Sequence, residues 1–399
     1  MIRLGLGALI ILAGLTAGCQ SRPAGWDAAV SAEALAEVGL AYYWQSAVPL
    51  DSDEAVSHIW HLDENVYCLT DKNRLCVYDA NSGSLRWFKQ LGRPRQRFFS
   101  PAHVERVILS VPDSPSTKAA YNVVIFNTVA DALLLRRDTG ELLRKISFTR
   151  AGFAANTATV SDGTMLYVAS VKAECRALEL ATGLKAWKLG ARGFLTARPA
   201  FMGSRLYFAG HDGTLYGASV GLNRGRKVWP DPDAPQAAAG FVNDFVVESR
   251  GIFAGCEDYS VYAFKPTGQP LWRFRCGAPI TRAVQVGATN VYATTKRKLY
   301  AIDLATGRLD PKWTLDDAVM VLAEVAGDTI CLNRRNELVL ADAAAGQVRR
   351  ILPMAGLDLF VPNAKIPAVY AASTDGLVCC LRSPGDGKVT LDRLSGPIP

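Results

Sequence analysis

The chain has 399 residues, 49% hydrophobic and 20% charged, with 44 Lys and Arg against 37 Asp and Glu, a formal net charge of +7. This apolar content supports a large core and excludes a disordered or fibrous protein. The positive charge is spread along the chain, so we expect no nucleic-acid partner. Only four histidines are present, which disfavours most metallohydrolases.

Residues 1–18 have the pattern of a lipoprotein signal peptide that precedes Cys19. Arg3 supplies a positive start, Leu4–Leu15 is apolar, and small residues lead into the cysteine. The pattern resembles the bacterial lipobox, although Thr16 stands where a branched apolar residue is usual. We expect Cys19 to be lipidated; an ordinary cleaved signal peptide or a membrane anchor is the alternative. Gln20 rather than Asp favours the outer membrane of a Gram-negative host, facing the periplasm.

Residues 19–40 are expected to form a tether that contains a short helix, because Trp26–Val38 is rich in Ala and Glu. Beyond Cys19, eight cysteines remain, an even number that permits disulfides without defining their connectivity. There is no C-x-x-C motif, so zinc and thiol redox chemistry are poorly supported. Most of these cysteines occupy apolar strand positions, where they are expected to act as small core residues.

A repeat of about 40 residues extends through the rest of the chain, residues 41–399. Each copy has two short β runs separated by a polar turn, followed by a turn glycine. These glycines fall at 83, 140, 183, 225, 268, 307, 346 and 385. Eight copies of four short strands predict an all-β, eight-bladed β-propeller. The first interval is longer and places an insertion within residues 93–120.

The turn glycine of the repeat is often followed by a tryptophan. Glycine allows a positive φ in a tight turn, and tryptophan offers the largest apolar surface for a wedge between blades. Arg144 and Arg350 replace the tryptophan in two copies. The pairs of this pattern are Gly83 and Trp87, Gly183 and Trp187, Gly225 and Trp229, Gly268 and Trp272, and Gly307 and Trp313.

The last copy, around Val369–Arg382, lacks a Trp-bearing outer strand. Ala41–Val48 contains a tryptophan and has no blade of its own. Pairing the two would remove an open sheet edge and close the ring. Val389–Leu394 is the competing candidate for this strand.

The repeat resembles the pyrroloquinoline-quinone-type (PQQ-like) β-propeller repeat. An eight-bladed ring of this repeat on a lipid anchor is similar to the BamB-type lipoproteins of outer-membrane assembly. This resemblance implies a non-enzymatic scaffold, anchored to the membrane, that binds envelope or outer-membrane proteins. We expect a monomeric ring with no cofactor, no metal and no catalytic residues.

Two alternatives use the central channel. A quinone-dependent oxidoreductase is suggested by adjacent Cys379 and Cys380, since enzymes of that class hold the quinone against such a disulfide. In a regular strand, however, neighbouring side chains point to opposite faces. A carbohydrate- or small-ligand-binding propeller is the other alternative. His58 and His61, with nearby acids, suggest a metal pair, but an offset of three separates their rings on a strand.

Charged turns are the one surface feature that predicts a binding site. The turns between the two β runs carry cations in the first, sixth and seventh copies. Equivalent turns share one face of a propeller, so these charges are expected to gather in one sector and to dock an acidic partner. The alternative is that the turns are charged for solubility. The residues are Lys72, Arg74, Lys296, Arg297, Lys298, Arg334 and Arg335.

Overall fold

The computed structural model describes residues 29–111, 114–221, 225–229, 237–241, 243–325 and 327–385. They form one short helix and 32 strands, arranged as eight four-stranded sheets. Each sheet is one blade, and contacts between successive blades close the ring. The predicted eight-bladed all-β propeller is confirmed. Within the described residues, no helix has the length and apolar character that crossing a membrane requires.

The elements follow the repeat in chain order. Helix α1 spans Ala32–Glu37 and β1 spans Ala41–Ala47. Blade 1 contains β2 (Val56–Leu62), β3 (Asn65–Thr70), β4 (Arg74–Asp79) and β5 (Leu85–Gln90). Blade 2 contains β6 (Ala102–Val111), β7 (Ser114–Asn127), β8 (Asp131–Arg136) and β9 (Leu142–Ser147). Blade 3 contains β10 (Val160–Ser161), β11 (Met165–Ser170), β12 (Glu174–Glu179) and β13 (Lys185–Gly190). Blade 4 contains β14 (Ala200–Met202), β15 (Arg205–Ala209), β16 (Leu215–Val220) and β17 (Gly225–Trp229).

The second half of the ring has the same plan. Blade 5 contains β18 (Val246–Glu248), β19 (Gly251–Gly255), β20 (Ser260–Phe264) and β21 (Pro270–Arg275). Blade 6 contains β22 (Gln285–Val286), β23 (Asn290–Thr294), β24 (Lys298–Asp303) and β25 (Leu309–Asp316). Blade 7 contains β26 (Ala318–Val325), β27 (Asp328–Asn333), β28 (Glu337–Asp342) and β29 (Val348–Pro353). Blade 8 contains β30 (Leu359–Phe360), β31 (Val369–Ala372) and β32 (Leu377–Arg382), with β1 as its outermost strand.

The core lies between neighbouring blades. The second strand of a blade is buried on both faces; every residue of β3 and of β11 is buried. The fourth strand alternates, as in β5, where Trp87 is buried and Phe88 is 65% exposed. This period-2 pattern is that of a strand with one solvated face. The junction of blades 1 and 2 packs Tyr67 and Trp87 of blade 1 with Phe126 of blade 2.

Blade 2 carries the insertion that the long first interval predicts. Its first two strands, β6 and β7, have 10 and 14 residues, whereas the matching strands of blade 3 have two and six. The extra length forms a longer hairpin in which Val107 and Leu109 face the core and Ile108 is exposed. Insertions of this kind are tolerated because they extend at the surface.

The ring is closed by its own two ends. Strand β1 pairs antiparallel with β32, from Ala41 opposite Arg382 to Ala47 opposite Leu377. This confirms the pairing predicted for the last blade. The competing segment Val389–Leu394 lies outside the described residues, as do residues 1–18 and Cys19.

Helix α1 lies in the groove between blades 7 and 8. Ser31 caps its first turn by accepting a hydrogen bond from the backbone N–H of Ala34 at 3.2 Å. Leu35 is fully buried against Leu352 of blade 7 and Leu381 of blade 8. Blade 7 has Arg350 in place of the repeat tryptophan, and Arg350 donates a hydrogen bond to the carbonyl of Glu37. The helix therefore supplies the apolar wedge that this blade lacks.

A tryptophan of one blade packs on the turn glycine of the next. A Cβ added at Gly83 would lie 2.5 Å from the indole of Trp44, and one at Gly307 would lie 2.5 Å from Trp272. Gly140 and Gly225 meet Trp87 and Trp187 in the same way. We call each such pair a Trp–Gly clasp. The sequence explains the glycine by the turn in which it lies. The structure gives a second reason, because a side chain at this position would overlap the indole of the neighbouring blade.

Each buried indole also donates a hydrogen bond to the next blade. The acceptors are backbone carbonyls just before the turn glycine: Ala80 for Trp44 at 2.9 Å, Arg137 for Trp87 at 3.0 Å, Gly221 for Trp187 at 3.2 Å, Leu304 for Trp272 at 2.9 Å, and Ala343 for Trp313 at 2.7 Å. The side chain of Trp229 lies outside the described residues. A buried N–H left unpaired would cost free energy, so these bonds fix how far each indole enters the groove.

The turn glycines of the repeat differ in backbone conformation. Gly83, Gly183, Gly268 and Gly307 have φ of 69°, 73°, 90° and 67°. Gly225 departs from the predicted pattern, because it begins β17 without a positive φ. Space for the indole is therefore the reason for glycine at this position of blade 4.

A histidine and a tyrosine meet where blade 1 joins blade 8. The ring of His61 stacks on Tyr370, with centroids 4.4 Å apart and planes inclined by 10°. Burial lowers the pKa of His61 to about 4, because the charged imidazolium is poorly solvated there. Its Nε2 has no hydrogen-bond partner among the described residues. The closing interface thus holds a neutral histidine.

We predict that Gly83→Ala destabilises the ring more than Gly277→Ala. Both glycines have φ near 70°, but a Cβ at Gly277 meets nothing within 4 Å. The positive φ alone costs about 1 kcal/mol in each variant. Displacing Trp44 adds roughly 1–3 kcal/mol to the Gly83 variant. Urea unfolding of the two variants measures the difference, and equal midpoints would contradict the clasp.

We predict that His61→Phe reduces the acid sensitivity of folding. The unfolded chain binds a proton near the usual histidine pKa of 6.5, whereas the folded ring resists it until about pH 4. Stability is therefore lost as the pH falls through this window. Phenylalanine keeps the stack on Tyr370, so between pH 7 and pH 5 the variant should lose about 1–2 kcal/mol less than the wild type. The free energy of unfolding of both proteins is measured by urea titration at pH 7 and pH 5. An equal decrease in the wild type and the variant would refute the lowered pKa of His61.

Candidate partner-binding face

The ring has two distinct faces. The loop face carries the turns between the second and third strands of each blade, at 71–73, 128–130, 171–173, 210–214, 256–259, 295–297, 334–336 and 373–376, together with the connections between blades. The clasp face carries the Trp–Gly clasps. Strand β1 runs from the clasp face at Ala41 to the loop face at Ala47. The chain therefore enters β1 from the clasp face.

All the predicted cationic residues lie at turns of the loop face, but those of blade 1 are neutralised. Lys72 forms an ion pair with Asp53, and Arg74 pairs with Glu54, whose side chain is 1% exposed. Both acids belong to the connection that leads from β1 into blade 1. Sequence reasoning missed this because the acids lie about 20 residues before the turn that they meet.

Blades 6 and 7 keep their positive charge. Lys298 pairs with Asp316 at 3.4 Å, and Arg334 donates to the backbone carbonyl of Lys296. Lys296, Arg297 and Arg335 are exposed and have no ion pair among the described residues. Blade 8, between this pair and blade 1, presents Ser373–Gly376 with the acidic Asp375. The cationic sector is therefore the two adjacent turns of blades 6 and 7.

The other half of the loop face carries four exposed apolar side chains. Val129, Val171, Phe194 and Tyr259 are exposed by 47%, 44%, 62% and 41%, and they belong to blades 2, 3 and 5 and to the connection between blades 3 and 4. The backbone of Phe194 is held in place because its carbonyl accepts the N–H of His211 at 2.8 Å. Tyr259 has a φ of 67°, which is uncommon for an aromatic residue. Each residue is isolated in the sequence, so only the ring brings them to one face.

A buried polar cluster joins blades 1 and 2 on the clasp face. His103 bonds Asp63 at 2.6 Å through Nδ1 and the hydroxyl of Tyr67 at 2.6 Å through Nε2. The order of groups resembles a hydrolytic triad, with tyrosine in the position of the nucleophile. However, Tyr67 is fully buried, and burial raises its pKa far above the usual value. A substrate therefore has no access to its hydroxyl, and the cluster acts as packing.

The same cluster contains the one group of side chains in the described residues that could hold a metal. Ligand atoms of Asp63, Glu64 and His103 lie within 4.8 Å of one another. Arg137 fills the cation position: its Nε is 2.8 Å from Glu64 and its NH1 is 3.3 Å from His103 Nδ1. Burial would raise the pKa of Asp63, but the hydrogen bond from His103 and the charges of His103 and Arg137 hold it below the usual value. The guanidinium thus balances the two carboxylates.

His58 and His61, whose offset of three predicts that their rings lie apart, contact different blades. His58 stacks on Trp60, which contacts Phe126 of blade 2, whereas His61 stacks on Tyr370 of blade 8. The acids Asp63 and Glu64 meet His103, which the sequence did not single out. Its position in blade 2, some 40 residues away, left no local signal.

Cys379 and Cys380 are free and face different interfaces. Cys379 packs in the core between blades 7 and 8, and Cys380 packs in the core between blades 8 and 1. The interpretation as strand residues is confirmed. All eight cysteines of the described residues are buried and free.

One segment crosses the axial opening on the clasp face. Residues 361–368 connect β30 to β31 in blade 8, and Lys365 forms a 2.8 Å ion pair with Glu248 of blade 5. These blades stand three positions apart, so the side chain reaches across the axis. The backbone N–H of Asn363 also donates to Val321 of blade 7 at 3.0 Å. The channel that the ligand-binding alternatives would use is therefore bridged at this mouth.

Comparisons with known proteins agree with this architecture. Among solved structures, BamB from Moraxella catarrhalis is similar, with 15% identity, a TM-score of 0.62, and coverage of 87% of this chain and 99% of that one. The computationally designed Ika8 protein matches with 11% identity, a TM-score of 0.57, and coverage of 84% and 99%. At these identities the two structures share the fold. No curated protein sequence matches the chain.

A family model is more specific than the shared fold. The model described as outer membrane protein assembly factor BamB matches residues 127–351 and 218–385. The two overlapping matches extend from the end of β7 to the last blade and cover more than half of the chain. The chain therefore belongs to the family of outer membrane protein assembly factor BamB.

Proposed function

We propose that the protein is a non-enzymatic, lipid-anchored scaffold of the cell envelope that docks other proteins on its loop face during outer-membrane protein assembly. The anchor is Cys19, in the outer membrane facing the periplasm, and the unit is a single ring. Family membership supports the setting. The observation that carries the docking role is the exposed apolar group Val129, Val171, Phe194 and Tyr259, which shares one face with the cationic turns of blades 6 and 7.

Isolated exposed apolar residues are ordinary, but residues gathered on one rigid face are typical of a protein interface. Aromatic anchors contribute much of the binding energy in such interfaces, and surrounding charge guides the approach of the partner. The two aromatic residues here sit on short, hydrogen-bonded turns. Little conformational entropy is therefore lost when they are covered.

The path of the N-terminal segment supports the orientation of the ring. Because β1 starts on the clasp face, an anchor at Cys19 would hold that face toward the membrane. The segment from Cys19 to residue 29 spans at most about 35 Å when fully extended. The loop face would then point into the periplasm, where soluble domains of partner proteins are accessible.

We predict that Phe194→Ala combined with Tyr259→Ala lowers partner capture about tenfold, because buried aromatic anchors dominate docking energy. The measurement is crosslinking of the full chain in bacterial envelopes, followed by mass spectrometry of the captured proteins. Phe88→Ala is the matched control, since Phe88 is 65% exposed but lies on the outer strand β5. Equal capture by the double variant and the control would contradict docking through the loop face, and recovery of no reproducible partner would contradict the scaffold role.

A further inference from the structure

A cleft lies between blades 1 and 2 on the loop face. Its volume is about 780 Å³, within the range of sites that bind small ligands or short peptide segments. One wall is the connection 91–98 that leaves β5, and the other is formed by β8 and β9 of blade 2. Apolar side chains of Leu91, Phe98 and Leu133 contribute to its lining.

The rim of this cleft is cationic. Arg93 and Arg95 line it, are exposed, and have no ion pair among the described residues. On the opposite wall, the Nζ of Lys145 forms an ion pair with the Oδ2 of Asp131 at 3.1 Å. The connection 91–98 contains three arginines and no acid. The cleft therefore combines an apolar interior with an uncompensated positive edge, which complements an anionic ligand with an apolar part.

The cationic wall is held in a fixed shape. Asn73 is buried, and its Nδ2 donates to the carbonyls of Arg93 at 2.5 Å and Gln96 at 2.9 Å. Gln90 donates to the carbonyl of Gly92 at 2.7 Å. Arg95 is held at a φ of 65°, an unfavourable conformation for a residue with a side chain. Strain of this kind persists only where the surroundings impose it and is enriched at binding sites.

Blade 7 provides an internal comparison. There Asn336 makes the same two bonds, to the carbonyls of Met354 at 3.0 Å and Leu357 at 2.7 Å. The side chains of Met354 and Leu357 are buried and form part of the core between blades 7 and 8. In blade 1 the equivalent connection instead exposes arginines. The same backbone device thus supports a connection that packs into the core in both blades, but in blade 1, beside buried Leu91 and Phe98, it also exposes arginines.

We propose that this cleft binds a short acidic peptide segment of a partner protein, with an apolar side chain of that segment inserted between blades 1 and 2. The inference rests on the proposed function, since it takes the occupant to be a protein docked on the loop face. A membrane surface is the other anionic partner to consider. The cleft opens on the loop face, whereas the N-terminal segment approaches from the clasp side, so the geometry favours a peptide.

The experiment captures peptides on the immobilised full chain. One pool contains randomised seven-residue peptides built from Asp, Glu, Leu, Phe and Gly; a second pool has Lys and Arg in place of the acids; a third has the acids and Gly alone. We expect the acidic and apolar pool to be retained about tenfold more than either other pool, because both charge and apolar burial contribute. Equal retention of all pools, or no retention, would overturn the proposal.

Paired charge reversals locate the binding. Arg93→Glu with Arg95→Glu should reduce retention of the acidic and apolar pool about tenfold. Lys265→Glu with Arg308→Glu is the control, because both residues are exposed on turns of the clasp face. Thermal melting checks that both variants fold. Equal loss in the two variants would indicate a general charge effect and refute the cleft.

Vesicles of phosphatidylglycerol and phosphatidylethanolamine test the membrane alternative. Co-sedimentation that requires Arg93 and Arg95, without peptide retention, would replace the peptide proposal with a lipid one. The outcome is separable from the proposed function, because envelope capture through Phe194 and Tyr259 is measured independently. Capture that survives while peptide retention fails would reject the cleft and leave the scaffold role intact.

Discussion

The contact between a tryptophan of one blade and a glycine of the next is the interaction on which the ring depends. A blade alone exposes two apolar faces, and each is covered only by a neighbour. The indole fills the outer part of the groove, and its N–H fixes the depth of insertion by bonding a carbonyl such as Ala80 or Leu304. Because a Cβ at Gly83 or Gly307 would overlap the indole, the glycine is required by the neighbouring blade as well as by its own turn. The repeat is thus a pattern of contacts between blades.

The places where the repeat departs from this pattern are where the molecule acquires individual features. Blade 7 has Arg350 instead of tryptophan, and helix α1 occupies the groove. Blade 2 has Arg144 instead, and a Cβ added at Gly183 would lie 3.5 Å from Ile146, which is ordinary van der Waals contact. In blade 8 the outer strand is β1, from the N-terminal end of the ring, and the connection 361–368 crosses the axis. Function should therefore be sought in the connections, while the strands serve the ring.

The fold could be predicted from the sequence because its signals are local and repeated. Glycine spacing and short β runs defined the blades, and an unpaired strand at each end indicated the closure. The candidate face could be predicted only in part. The turn at residues 72–74 is cationic in the sequence, but Asp53 and Glu54, which belong to another connection, form ion pairs with its cations. Phe194 and Tyr259 carry no local signal, because only the closed ring brings them to the same face. His103 joins Asp63 for the same reason.

The pairing of β1 with β32 has a consequence for how the chain matures. Strand β1 is synthesised before blades 1 to 7, and its partner Leu377–Arg382 is synthesised after them. Until Leu377–Arg382 is in place, β1 has no partner strand and β31 has one open edge, and such edges promote association with other chains. Arrival of Leu377–Arg382 is therefore the step that allows the ring to close.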